Sequence, residues 1–280
     1  MYTLAICNRK GGTGKTTVTV NLAAELAALG LRVLVIDLDS QNHCAVGLGQ
    51  PVPAGAATIH GRFRDPALPL LPAIRPTALA NLALLPADPL FEHGSGARDE
   101  GLLRRALAAP ELAAAFDLVL LDTPPSLDLL LLNALNAAQG LLVPFVPHPL
   151  SLEGVKQLMR VLFKIKTRGN PGLQILGFLP VMVAEQIRQH QAITGAIAQQ
   201  FGQPRVLPGI RTDIKLAEAF GAGQPIRGYA PRCRAAEDFQ RLGQTVSAFP
   251  ALLADFVRCR PDATGDDPLP PATPWSPPCH

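Results

Sequence analysis

The chain has 280 residues, 48% hydrophobic and 17% charged, which excludes wholesale disorder and suits one large α/β domain with a short appendage. Its five cysteines (Cys7, Cys44, Cys233, Cys259, Cys279) show no CxxC or zinc-like spacing, excluding a disulfide framework or cysteine-based metal site and pointing to a reducing cytoplasm. The net charge of +3 is uneven: residues 1–150 carry 10 Lys/Arg against 12 Asp/Glu, residues 151–241 carry 13 against 6, and the last twenty contribute −3.

Strand and helix signals alternate along the chain, as in a βαβ series. Residues 2–8 form a short apolar run that ends in Asn-Arg-Lys-Gly-Gly, and residues 16–29 read as a helix closed by Gly30. Residues 32–37 are a second strand. Residues 49–80 are rich in Pro, Gly and Ala and read as an irregular excursion. A third strand at 81–86 and a helix at 100–115 lead to a fourth strand, 118–122, with the sequence LVLLD. Helix 127–138 and strand 140–144 follow. The apolar run 127–146 is interrupted by Asp128, Asn133, Asn136, Gln139 and Pro144, so it reads as buried helix plus strand and not as a membrane span. The remaining elements are a long helix at 152–166, a strand at 174–179, and helical segments at 192–201, 215–220 and 235–257. Pro250 marks a break in the last of these. Residues 1–258 are thus one domain, and 259–280 an acidic, Pro-rich, disordered tail.

The strongest signal is Lys10-Gly11-Gly12-Thr13-Gly14-Lys15-Thr16-Thr17, between a strand and a helix. That context is what a phosphate-binding loop requires. Glycines let backbone N–H groups curl around phosphate oxygens, and the helix N-terminus adds its positive dipole end. Lys15 would neutralise the β- and γ-phosphates, and the Thr16 hydroxyl would ligate Mg²⁺. The usual GxxxxGK[ST] spacing is not met, because Arg9 stands where the first glycine would be; a lysine precedes the paired glycines instead. A glycine-rich turn that binds nothing would not need strand, lysine, hydroxyl and helix in this order. Asp122 ends an apolar strand, where a carboxylate can hold Mg²⁺ through water. Asp37 and Asp39 end the second strand, and either one could align a nucleophilic water.

Residues 4–49 together with FDLVLLDTPPSLDLLLLNAL, PLSLEGVKQL and IKLAEAFGAGQPIRGYAPRCRAAEDF resemble ParA/Soj-type partition ATPases, members of the MinD/ParA group with a deviant Walker A motif. The resemblance implies a doubly wound, mostly parallel sheet flanked by helices, in an α/β P-loop NTPase. It implies ATP and Mg²⁺ as cofactors and a homodimer that closes around ATP. Lys10 matches the signature lysine that reaches the partner's phosphates, and Lys15 and Thr16 match the loop lysine and the magnesium ligand. Asp39 matches the aspartate that positions water, counted here with the metal ligands. Asp122 matches the Walker B carboxylate. Gly11 falls where two protomers' loops meet. Ser40 stands where the family usually has proline.

The same resemblance implies non-specific binding to double-stranded DNA, a ParB-like or cargo-adaptor partner that stimulates slow hydrolysis, and a cytoplasmic, nucleoid-associated setting. The basic excess of residues 151–241 is consistent with a polyanion-facing surface, and Arg188, Arg211, Lys215, Arg227, Arg232 and Arg234 are its expected DNA contacts. Few aromatics accompany them, which disfavours stacking on a single strand. The competing class is a MinD-like membrane-associated regulator. Such chains usually end in a basic amphipathic helix, whereas this one ends acidic and Pro-rich, so no membrane partner is expected.

Overall fold

A computed structural model describes residues 1–249 apart from His93, Ser95 and Glu185. In chain order the elements are β1 (Tyr2–Ile6), α1 (Lys15–Ala28), β2 (Val33–Asp37), α2 (His43–Gly47), α3 (Ile59–Arg64), β3 (Arg75–Pro76) and β4 (Leu82–Leu85). Next come α4 (Leu102–Leu107), α5 (Pro110–Ala115), β5 (Leu118–Asp122), α6 (Leu129–Ala137), β6 (Gly140–Phe145) and α7 (Pro149–Arg168). The last are β7 (Gln174–Val183), α8 (Arg188–Phe201), β8 (Ile210–Arg211), α9 (Lys215–Gly221), α10 (Ile226–Tyr229) and α11 (Arg234–Ser247).

Eight strands form one sheet in the order β3-β4-β2-β5-β1-β6-β7-β8. Every pairing is parallel except β3 with β4 at the edge. Strands β1, β2, β4, β5 and β6 are buried along their whole length, which is why they read as continuous apolar runs and not as alternation. Alternation survives as a division between two cores. Ala5, Cys7, Leu34 and Ile36 join one core with residues of α4 to α8, while Leu4, Ile6, Val33 and Val35 join the other with residues of α1, α2 and α9 to α11. The expected doubly wound architecture is therefore present.

Differences from the sequence reading have local causes. The single helix expected at 100–115 is two, α4 and α5, because Pro110 opens a new first turn and forces the preceding Ala109 into extended geometry. The irregular stretch 49–80 holds α3 and the two-residue edge strand β3. Strand β7 runs four residues past the expected Leu179, and α7 and α8 begin earlier than periodicity indicated. The apolar run 127–146 folds as α6 and β6. Asp128 caps α6, its carboxylate accepting from the Leu130 and Leu131 amides at 3.1 Å each. Among the described residues, no helix is long and apolar enough to cross a membrane. Pro250, the domain's end at 258 and the tail lie outside the described residues.

Candidate phosphate and metal site

The loop joining β1 to α1 is built by its own polar residues. Asn8 Oδ1 accepts from the Lys10 amide at 3.0 Å, Asn8 Nδ2 donates to the Pro144 carbonyl at 2.7 Å, and Thr13 Oγ1 donates to the Lys10 carbonyl at 3.2 Å. Gly12 and Gly14 have φ of 71° and 69°, left-handed values that favour glycine. Gly14 stands directly before α1, so the loop delivers its backbone to the positive end of a 14-residue helix. The two lysines differ in setting. Lys15 is buried, whereas Lys10 is exposed and has no side-chain partner among the described residues.

Below the loop, β2 and β5 pair in register so that Asp37 lies beside Asp122. Thr16 Oγ1 donates to Asp122 Oδ2 at 2.7 Å, and Thr19 Oγ1 donates to Asp122 Oδ1 at 3.2 Å. Cys44 Sγ lies 3.4 Å from Asp122 Oδ2. Asp37, Cys44 and Asp122 bring one ligand atom each within 4.8 Å of one another, and all three residues are buried. Burial, the largest influence, raises the proton affinity of both carboxyls; Asp122 raises that of Asp37 further, while Thr16 and Lys15 oppose the rise at Asp122. Two buried carboxylates beside one buried lysine favour added positive charge. Together with the Thr16 hydroxyl they offer the hard oxygen donors that Mg²⁺ takes, so the residues fit the expected ion.

The structure separates the two aspartates of the second strand. Asp37 ends β2 with both carboxylate oxygens held by backbone amides, those of Asp39 at 3.0 Å and Cys44 at 2.9 Å. Asp39 lies beyond the strand, half-buried, and accepts from the Gln41 amide at 3.1 Å. It stands outside the Asp37–Cys44–Asp122 cluster, yet its charge acts on both of those aspartates. Sequence reasoning missed Thr19, although its position three residues after Thr16 puts it on the same helix face. It also missed Asn8 and Cys44. Nothing in the sequence marks Cys44, whose burial is decided by α2 folding back over β2.

A family profile described as an AAA domain matches residues 1–175. The chromosome partitioning protein ParA of Caulobacter vibrioides is 34% identical over 248 residues, covering 87% of this chain and 92% of that protein. The chromosome-partitioning ATPase Soj of Thermus thermophilus is 36% identical over 254 residues, 88% of this chain and 95% of that one. The chain belongs to the ParA/Soj family of partition ATPases. Among solved structures, the septum site-determining protein MinD from Pyrococcus horikoshii, complexed with Mg-ADP, superposes with a TM-score of 0.71. It is 27% identical and covers 88% of this chain and 96% of its own.

In this ParA/Soj-family ATPase the six basic residues singled out above fall into two groups. Arg211 grips the buried Asp238: its amide, Nε and Nη2 all donate to that carboxylate at 2.8–3.2 Å, and Nη2 also reaches Glu237. Arg227 donates to the buried Glu25 at 2.7 Å, tying α10 to α1. Desolvation raises the proton affinity of Glu25, and Arg227 counters it. Lys215 pairs with Glu218 at 2.7 Å on the exposed face of α9. Arg188, Arg232 and Arg234 are exposed and form no ion pair among the described residues. Half of the expected DNA surface is therefore already neutralised by the protein's own carboxylates.

Proposed function

We propose that the chain is an ATP-switched dimer that binds duplex DNA without sequence preference and positions a cargo over the nucleoid, with a ParB-like or adaptor protein speeding hydrolysis. The observation that carries this reading is the contrast between the two loop lysines: Lys15 is buried against its own site, and Lys10 is exposed at the lip with no partner among the described residues. A cation held outward beside a phosphate loop suits a second protomer's nucleotide. ATP and Mg²⁺ are the cofactors. Residues 10–17 hold the phosphates, Lys15 neutralises their charge, and Thr16 and Asp122 hold the ion, which screens phosphate charge when bound. Asp39 orients the attacking water and joins the ion's surroundings; Asp37, fully buried and with each oxygen already accepting one backbone amide, is the less available of the two for that water.

Dimerisation has a clean test at Gly11. A Cβ built there meets nothing within 4 Å, and its φ is not left-handed, so Gly11→Val should fold and bind ATP as the parent does. If two loops meet at this point, the valine blocks closure. ATP-dependent dimerisation and duplex binding should then disappear together, read by light scattering and electrophoretic mobility shift. A Gly11→Val chain that still dimerises with ATP would remove this site from the interface.

Asp39→Ala is expected to keep ATP affinity while hydrolysis falls, because the carboxylate orients water and leaves the phosphates to the loop. The ATP-bound dimer should therefore persist through size-exclusion chromatography. A variant that turns over at the parent rate, or elutes as a monomer with ATP bound, would reject the role. The full reading is tested by duplex binding with ATP, ADP and no nucleotide; equal affinity in all three would refute a nucleotide switch.

A further inference from the structure

Helix α7 carries the largest row of uncommitted positive charge that the structure describes. Lys156, Arg160, Lys164 and Arg168 recur every four residues, so they run along the helix as neighbours and not as opposite faces. The twelve-residue span is about 18 Å long at 1.5 Å per residue. Arg160, Lys164 and Arg168 are exposed and Lys156 is half-buried, and none of the four forms an ion pair or side-chain hydrogen bond among the described residues. Arg104 on α4 continues the row, donating to the Gly169 carbonyl at 3.0 Å just past the helix end. One acid, Glu153, lies at the N-terminal end, and no other Asp or Glu occurs in the helix. Arg211, Arg227 and Lys215 contrast with this row, since each is already paired.

We infer that this row on α7 is a main contact surface for duplex DNA, meeting consecutive phosphates of one strand. The inference rests on the duplex-binding reading above and names the side chains that carry it. One strand presents a phosphate every 3.4 Å or so of duplex axis, so a row of about 18 Å faces on the order of five phosphates. Lys and Arg in that arrangement bind backbone without reading bases, which matches the expected lack of sequence preference. An anionic membrane suits the row less well. Insertion needs an apolar face, and the apolar face of α7, with Val155, Leu158, Leu162 and Ile165, is buried in the core. Phe163, at 70% exposure, and Leu150 in the first turn, at 65%, are the large apolar side chains that α7 exposes, thirteen residues apart and too little to anchor a helix in lipid.

The test compares two full-length variants with the parent. One carries Lys156→Gln, Arg160→Gln, Lys164→Gln and Arg168→Gln; the other carries Arg188→Gln, Arg232→Gln and Arg234→Gln. All seven positions lack ion pairs among the described residues, so both should keep the parent's melting curve and DNA-free ATPase rate. Duplex affinity with ATP is then measured across a salt series. Loss of tenfold or more in the α7 variant, with the slope of log K against log salt shallower by about 3–4 per engaged protomer, is the expected result. Parent-like duplex binding by the α7 variant overturns the assignment and leaves the duplex reading intact, most directly if the second variant has lost binding. Absence of duplex binding by the parent in every nucleotide state overturns both together. ATP-dependent pelleting with phosphatidylglycerol vesicles that only the α7 variant loses, without any change in duplex binding, makes the row a lipid contact and also overturns it.

Discussion

Lys10→Ala should leave ATP binding within a few fold of the parent and lower hydrolysis by on the order of 10²–10³, the usual loss when one charge-stabilising donor is removed from a transition state. The geometry makes the experiment clean. The loop is held through the Lys10 backbone, whose amide donates to Asn8 and whose carbonyl accepts from Thr13. The exposed side chain makes no hydrogen bond or ion pair that alanine would break among the described residues. Lys15→Ala is the contrasting case. That ammonium is buried beside Asp122, so its loss should abolish nucleotide binding itself. Steady-state phosphate release paired with calorimetric ATP titration separates the two. Mixing Lys10→Ala protein with a hydrolysis-dead Asp39→Ala partner adds a further check. If the lysine acts in trans, the Asp39→Ala protomer's Lys10 serves the intact water-positioning site of the other, and turnover partly returns. Normal turnover by Lys10→Ala alone would end the trans-lysine assignment.

Arg211→Ala is expected to lower stability by about 3 kcal/mol, the scale for leaving a buried carboxylate without its main partner. Asp238 has a side chain only 1% exposed and receives three donors from Arg211 and one from Arg241 at 2.8 Å. The backbone amide of residue 211 and Arg241 both remain after the substitution, which keeps the loss from being larger. For a chain of this size the melting temperature should fall by roughly 6–12 °C. Arg211→Lys should rescue little, because an ammonium cannot reproduce the planar, two-pronged grip. Any loss of DNA binding in an Arg211 variant is then first a folding effect, and Arg211→Glu, which sets a third carboxylate against Asp238 and Glu237, is unsuitable as a DNA-surface probe. A thermal melt within 2 °C of the parent for Arg211→Ala would show that Asp238 is held by other means and would return Arg211 to the DNA surface.

The sequence by itself determined what depends on short-range chemistry. A buried parallel strand must be a continuous apolar run, so β1, β2, β5 and β6 were legible, and with them the alternation that makes a doubly wound sheet. A loop with glycines at left-handed positions and a lysine-hydroxyl pair opening a helix can be read within eight residues, so Lys15 and Thr16 stood out as candidates, as did Asp122 from its place at a strand end. Tertiary structure decided what depends on partners far along the chain. Asp37 and Asp39 are alike in sequence, but α2 folds back to give Asp37 the Cys44 amide and seals it, leaving Asp39 half-exposed. Arg227 and Arg211 looked like free cations in a basic region; Glu25, 202 residues from Arg227, and Asp238, 27 residues from Arg211, claim them because leaving either carboxylate buried without a cation would be costly. The four-residue period of Lys156, Arg160, Lys164 and Arg168 was in the sequence throughout. That this row remains unpaired among the described residues was settled only by packing, which turned the apolar face of α7 to the core and left the four cations without an ion-pair partner there.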